Sequence, residues 1–114
     1  MKTKADWMSH LTQVIEQNLT NPFLTNAELA TMIGMSERQF YRKVELITGR
    51  SPNLYLRDIR LDRADELLKS GEFSTVKEVA MRVGFIKVSY FSKLYEEREG
   101  QRPSEILREH KTHN

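Results

Sequence analysis

The sequence predicts an all-α protein of about seven helices, built as two helix-turn-helix subdomains joined by a long linker helix. Three observations carry that expectation. Strand signals are missing, with no sustained apolar–polar alternation and no Asn-Gly or Asp-Gly hairpin between β-branched runs. Apolar residues recur instead at three- and four-residue intervals, between residues that start or stop helices. The chain also repeats itself: Thr25, Glu28, Ala30, Gly34, Phe40, Arg42, Gly49 and Pro52 return as Thr75, Glu78, Ala80, Gly84, Phe91, Lys93, Gly100 and Pro103. The offset is 50 residues as far as Gly34 and Gly84 and 51 beyond, so the second copy carries one extra residue in its turn. The shared positions are those that constrain a helix-turn-helix: a capped start, a small residue where helices touch, a turn glycine and an apolar anchor on the next helix.

Trp7, Met8, Leu11, Val14, Ile15 and Leu19 share one face of a first helix, which Asn21-Pro22 ends. Thr25 with Glu28 makes a capping box for a short second helix through Leu29, Met32 and Ile33, stopped at Gly34. Ser36 caps the third helix, with Gln39 at its third position, and Gly49 stops it after about Thr48. Ser51-Pro52 supplies a cap and then proline at the first helical position of the fourth and longest helix. Leu54, Leu61, Ala64 and Leu68 lie on one side of it and Leu56, Ile59 and Leu67 on others, a surface broad enough to pack against both halves. Ser70-Gly71 ends this helix, and Thr75 with Glu78 opens a short fifth one to Val83. A turn at Gly84 leads to a sixth from about Val88, and Pro103 starts a last helix through Ile106 and Leu107, with a frayed tail from Lys111 to Asn114. The expected division is residues 1–50 for the first subdomain, 51–70 for the linker helix and 71–114 for the second.

Composition narrows the functional classes. With 114 residues, 39% hydrophobic and 30% charged, the chain has the makeup of an ordinary folded domain. No apolar run approaches the roughly 20 residues of a membrane helix, and the N-terminus lacks a signal peptide's apolar segment, so no membrane contact and a cytoplasmic location are expected. Cysteine is absent, which removes disulfides, thiolate nucleophiles and cysteine-based zinc sites. His10, His110 and His113 sit at the two ends, outside any helical HExxH pair, and neither a glycine-rich phosphate loop nor a pocket of paired acids is present. An enzyme, a metal site and a cofactor are therefore not expected. The net charge of +2 is small, but from Ser36 to Arg63 the basic residues Arg38, Arg42, Lys43, Arg50, Arg57, Arg60 and Arg63 outnumber the acids Glu37, Glu45, Asp58 and Asp62 by three. Positive charge concentrates around the first repeat.

In the third helix Phe40, Val44 and Ile47 mark the core face, and Arg38, Tyr41, Arg42 and Glu45 mark the opposite one at i, i+3, i+4 and i+7. An arginine fork can donate two hydrogen bonds to the O6 and N7 of guanine in the major groove; Tyr41 suits a thymine methyl or a phosphate, and Gln39 suits adenine. Ser36, Lys43 and Arg50 are expected against the DNA backbone. Register places Ser89, Ser92, Lys93 and Glu96 at the corresponding positions of the second copy, a weaker reader whose contacts are either to bases or only to phosphates. Phe91, Leu94 and Tyr95 mark its buried face, Ile86 and Lys87 offer the helix no capping side chain, and Lys87 and Tyr90 are expected near the backbone. The competing reading is a helical protein-interaction module without specific DNA readout, using exposed Tyr41, Tyr90 and Val88.

The run Glu78-Val79-Ala80-Met81-Arg82-Val83-Gly84-Phe85, followed by Ser89-Tyr90-Phe91-Ser92-Lys93 and by Gly100 and Pro103, resembles the C-terminal DNA-binding domain of the AraC family of bacterial transcription regulators. Leu29-Ala30, Gly34-Met35-Ser36, Arg38, Phe40, Arg42, Gly49, Ser51-Pro52, Arg60-Leu61, Arg63-Ala64 and Leu67-Leu68 extend the resemblance over about Trp7 to Arg108. The wording Gly34-Met35-Ser36, Tyr41-Arg42-Lys43 and Thr48-Gly49 is similar to the version at the C-terminus of hybrid two-component sensor regulators. The resemblance implies two recognition helices entering successive major-groove segments of double-stranded DNA, with Arg38, Tyr41 and Arg42 contacting bases in one unit and Ser89, Ser92 and Lys93 in the other. It also implies an upstream sensor or receiver domain, and RNA polymerase as a partner to which no residue can be assigned. The sequence departs from the family where Phe-Lys is frequent, with Val44-Glu45 and Tyr95-Glu96, and where a Ser or Thr normally caps the last helix, with Arg102.

Overall fold

The computed structural model describes residues 3–111, and among these the fold is all-α with seven helices. They are α1 (Lys4–Gln17), α2 (Asn26–Ile33), α3 (Glu37–Thr48), α4 (Pro52–Lys69), α5 (Val76–Arg82), α6 (Val88–Glu99) and α7 (Pro103–His110). The chain divides into two compact units, Met1–Asp58 and Ile59–Asn114, and α4 runs through the boundary. Each unit contains one copy of the repeat: α2, turn, α3 in the first, and α5, turn, α6 in the second.

Local side-chain chemistry sets most helix ends. Thr25 Oγ1 accepts from Glu28 N at 3.1 Å while Glu28 Oε1 accepts from Thr25 N at 3.0 Å, closing the reciprocal box that opens α2. Ser36 and Gln39 do the same for α3, with both bonds at 3.2 Å. Gly34, Gly49 and Gly100 close α2, α3 and α6 in the left-handed region, at φ of 85°, 73° and 78°. The extra residue of the second copy lies between Gly84 and α6, where Phe85 turns back and donates its N–H to Ala80 O at 2.8 Å. Thr3 and Asp6 form a further box at the start of α1, a Thr-x-x-Asp signal that the periodicity alone does not reveal.

In the first unit the core gathers Trp7, Leu11, Val14 and Ile15 of α1, Leu29 and Ala30 of α2, and Phe40 and Val44 of α3. The rings of Trp7 and Phe40 meet at 6.4 Å and 52°. Helix α1 ends at Gln17, earlier than the run to Leu19 expected from periodicity, because Asn18 caps it and donates from Nδ2 to Val14 O at 2.8 Å. Leu19 is nevertheless buried, from the segment that follows.

In the second unit the core is Val79, Ala80 and Val83 of α5 and its end, Phe85, Phe91 and Tyr95 of α6, and Pro103, Ile106 and Leu107 of α7, against Leu61, Ala64 and Leu68 of α4. Phe85, Phe91 and Tyr95 form a ring chain with centroids 5.2 and 5.9 Å apart.

Helix α4 corrects the sequence reading in one respect. Leu54, expected with Leu61, Ala64 and Leu68, is 37% exposed, and the buried row instead runs at four-residue steps through Pro52, Leu56, Arg60, Ala64 and Leu68. A helix with apolar residues all round does not declare which side its neighbours will cover. His110 is the last residue of α7 and donates from Nδ1 to Ile106 O at 3.0 Å. His113 and the rest of the tail beyond Lys111 lie outside the described residues.

Candidate nucleic-acid interface

The face of α3 follows from its start and its buried row. The Ser36–Gln39 box fixes the first turn, and Phe40 and Val44, fully buried, lock the helix against the first unit's core. Arg38, Tyr41, Arg42 and Glu45 then project on the opposite side, all exposed, with Tyr41 at 41%. Among the described residues neither Arg38 nor Arg42 forms an ion pair, so both guanidinium groups are available as donors from a rigid element.

The other expected contacts of this unit have partners within the protein. Gln39 Oε1 already accepts from Ser36 N, and bidentate pairing to adenine needs that oxygen together with Nε2. The capping box therefore competes with the adenine contact assigned to Gln39. Ser36 Oγ accepts from Gln39 N and retains its hydroxyl proton for a phosphate. The Lys43 ammonium lies over the Trp7 ring, 4.6 Å from the centroid. Arg50 Nε sits 2.6 Å from Asp58 Oδ2, which offsets its charge locally.

Arg60, one of the seven cations counted around the first repeat, does not belong to the surface. It is 6% exposed, its guanidinium donates to Val83 O at 2.6 Å, and burial lowers its pKa from the ordinary arginine value. The bond satisfies a carbonyl at the end of α5 and ties that turn to α4. The sequence does hold a signal for this: Arg60 occupies one step of the row Leu56, Arg60, Ala64 and Leu68, an arginine where a helix turns its apolar side. Arg63 is paired to Glu66 at 2.7 Å, three residues along the same helix.

Helix α6 begins differently. Lys87 makes no side-chain cap, as expected, and Ile86 beside it is exposed. Ser89 and Lys93 are exposed and Ser92 is half-buried. Tyr90 is half exposed and its ring meets Phe85 edge-on at 6.3 Å. These α6 residues do not stand on a free convex face. Ser89, Ser92, Lys93 and Glu96 line an open cleft of about 710 Å³ together with Arg102, Pro103 and Ser104 at the start of α7 and with Val76 and Val88.

The back of α6 is bonded to α4. Tyr95 Oη donates to Asp65 Oδ1 at 2.6 Å, Lys69 Nζ approaches Asp65 Oδ2 at 3.0 Å, and Arg98 pairs with Asp62. Burial pushes the Asp65 carboxyl up, but the Tyr95 hydroxyl and the Lys69 ammonium outweigh it, and its pKa ends below the ordinary value. The same contact raises the Lys69 pKa, and burial together with the Asp65 carboxylate keeps the Tyr95 hydroxyl protonated well above its usual range.

Comparison with known proteins agrees with the helix-turn-helix fold. A family profile described as "Helix-turn-helix domain" matches residues 29–109. The HTH-type transcriptional regulator CdhR of Pseudomonas aeruginosa is 36% identical over 86 residues, which is 75% of this chain and 25% of that protein. Histidine kinase P4 of Formosa agariphila is 27% identical over 93 residues, 82% of this chain and 7% of the kinase. The chain thus spans a quarter or less of the length of these two relatives. A crystal structure of a transcriptional regulator described as AraC-type DNA-binding domain-containing, from Chromobacterium violaceum, superposes with a TM-score of 0.80 at 27% identity, covering 91% of each chain.

Proposed function

The chain belongs to the AraC/XylS family of helix-turn-helix transcription regulators, and from that membership we propose that it is the cytoplasmic output segment of a longer, signal-responsive bacterial regulator. Its activity is sequence-specific binding of double-stranded DNA by two tandem helix-turn-helix units, in the service of transcription. The exposed face of α3 is the observation that carries the assignment of residues: Arg38, Tyr41 and Arg42 stand on a capped, core-locked helix with both guanidinium groups unpaired among the described residues.

In this reading α3 enters a major-groove segment and Arg38 and Arg42 donate to guanine edges, with Tyr41 against a thymine methyl or a phosphate. Ser36, Lys43 and Arg50 approach phosphates, with Lys43 leaving Trp7 and Arg50 leaving Asp58 to do so. Helix α6 enters the next segment, roughly 34 Å along the duplex, with Ser89, Ser92 and Lys93 forward and Lys87 and Tyr90 at the backbone. Gln39 acts as a capping residue in this reading, its Oε1 committed to Ser36 N. The match to a short stretch of a histidine kinase supports a sensor or receiver domain upstream, and RNA polymerase is the partner through which a bound regulator would act.

Titration of the chain with duplex DNA at rising salt tests the reading. Contacts to several phosphates make the logarithm of affinity fall steeply and linearly with the logarithm of salt concentration, at about 0.9 per phosphate. An affinity indifferent to salt would instead indicate an apolar protein interface.

A further inference from the structure

The cleft beside α6 is lined by an acid and a base from two different helix segments. Glu96 lies on α6 and Arg102 immediately before α7. Both line the same open cleft as Ser89, Ser92 and Lys93. Arg102 is exposed and, among the described residues, forms no ion pair; a guanidinium also has no acceptor with which to cap α7. The start of α7 is held by other groups: Glu105 Oε1 accepts from Arg102 N at 3.3 Å, and Arg102 O accepts from Glu105 N at 3.0 Å. The Arg102 side chain is therefore not needed for the helix it precedes.

We propose that Arg102, at the start of α7, supplies the second unit's principal phosphate contact beside the Glu96 and Glu97 carboxylates of α6. The occupant is one strand of the same duplex whose major groove α6 enters, because Ser89, Ser92 and Lys93, the forward residues of that helix, line the same cleft. The inference rests on the DNA-binding reading above. Charge is consistent with it: Lys93 and Arg102 balance Glu96 and Glu97 around the cleft, and without Arg102 its lining would be net negative and would repel a phosphate. The guanidinium is suited to the role, since its planar fork matches two phosphate oxygens. Arg102 in this role adds affinity without reading sequence.

The test uses the whole chain and a duplex of about 30 base pairs carrying its selected site, long enough for two groove segments one turn apart, beside a random duplex of equal length. Arg102→Ala is expected to bind both duplexes about 3- to 10-fold more weakly and to lower the salt slope by about one, with base preferences unchanged. Arg102→Lys retains the charge and should keep the slope, which separates the contact from any loss of stability at the α7 start. Glu96→Lys, combined with Arg102→Ala, should restore the slope. An Arg102→Ala protein with unaltered affinity and slope would overturn the assignment, as would a change in base preference, which would make Arg102 a reader. Failure of the unsubstituted chain to bind either duplex would instead overturn the DNA-binding reading on which the inference stands.

Discussion

Helices α3 and α6 occupy equivalent places in the two copies of the repeat and are held by different means. Helix α3 starts with a reciprocal Ser36–Gln39 cap and shows Arg38, Tyr41 and Arg42 on an open face. Helix α6 starts uncapped at Lys87, is bonded along its back to α4 through Tyr95 and Arg98, and presents Ser89, Ser92 and Lys93 inside a cleft shared with α7. Both copies keep the buried phenylalanine, Phe40 or Phe91, and a left-handed glycine at the helix end. The constraints of the fold are thus duplicated, while the chemistry offered to DNA is not: two arginines without ion pairs among the described residues in one copy, two serines and a lysine in the other.

The largest effect should separate the readers. Arg42→Ala should cost about 1–3 kcal/mol at one base position, the loss expected of a bidentate guanine contact. Its counterpart Lys93→Ala should weaken binding by less and nearly uniformly. Competition with single-base variants of the site measures both, and a larger, base-selective loss for Lys93→Ala would reverse the ranking.

The shared scaffold should respond alike in both copies. Gly49→Ala and Gly100→Ala each place a side chain in the left-handed region, with nothing else within 4 Å of the added carbon, so each should cost about 1–2 kcal/mol by conformation alone. Denaturant midpoints differing widely between the two would mean that the helix ends are not equivalent.

Caps should behave oppositely. Ser36→Ala breaks an existing box and should destabilise by about 1 kcal/mol, whereas Lys87→Ser offers α6 a cap it lacks and should stabilise by about 0.5 kcal/mol. Thermal melts decide this, and a loss on Lys87→Ser would show that the lysine contributes something other than charge toward DNA.

The smallest effect concerns pH. Asp65 has its pKa depressed in the folded protein, so its contribution is present above the ordinary carboxylate value and is lost as pH falls through the depressed one. The stability gap between the unsubstituted chain and Asp65→Asn should accordingly close on acidification. A gap that widens in acid would mean that the Tyr95–Asp65 bond does not favour the charged carboxylate.

Helix starts and stops were largely legible in the sequence because capping is local chemistry: Thr25 with Glu28, Ser36 with Gln39, and Gly34, Gly49 and Gly100 act within one turn. The exposed row on α3 was legible for the same reason, since a buried Phe40 fixes the opposite face. What was not legible depends on a second element. Leu54 and Arg60 exchange their expected environments because burial on α4 is decided by what packs on it. The place of Lys43 over Trp7, of Arg50 against Asp58, and of Ser89 and Lys93 in a cleft with Arg102 all join residues distant in sequence.

Selection of binding sites from a random duplex pool tests the inequality of the two readers most directly. A two-part motif is expected, with centres roughly one helical turn apart, the half contacted by α3 sharply specified and the half contacted by α6 more tolerant. A motif equally sharp in both halves, or sharper in the half that Lys93→Ala disturbs, would contradict it.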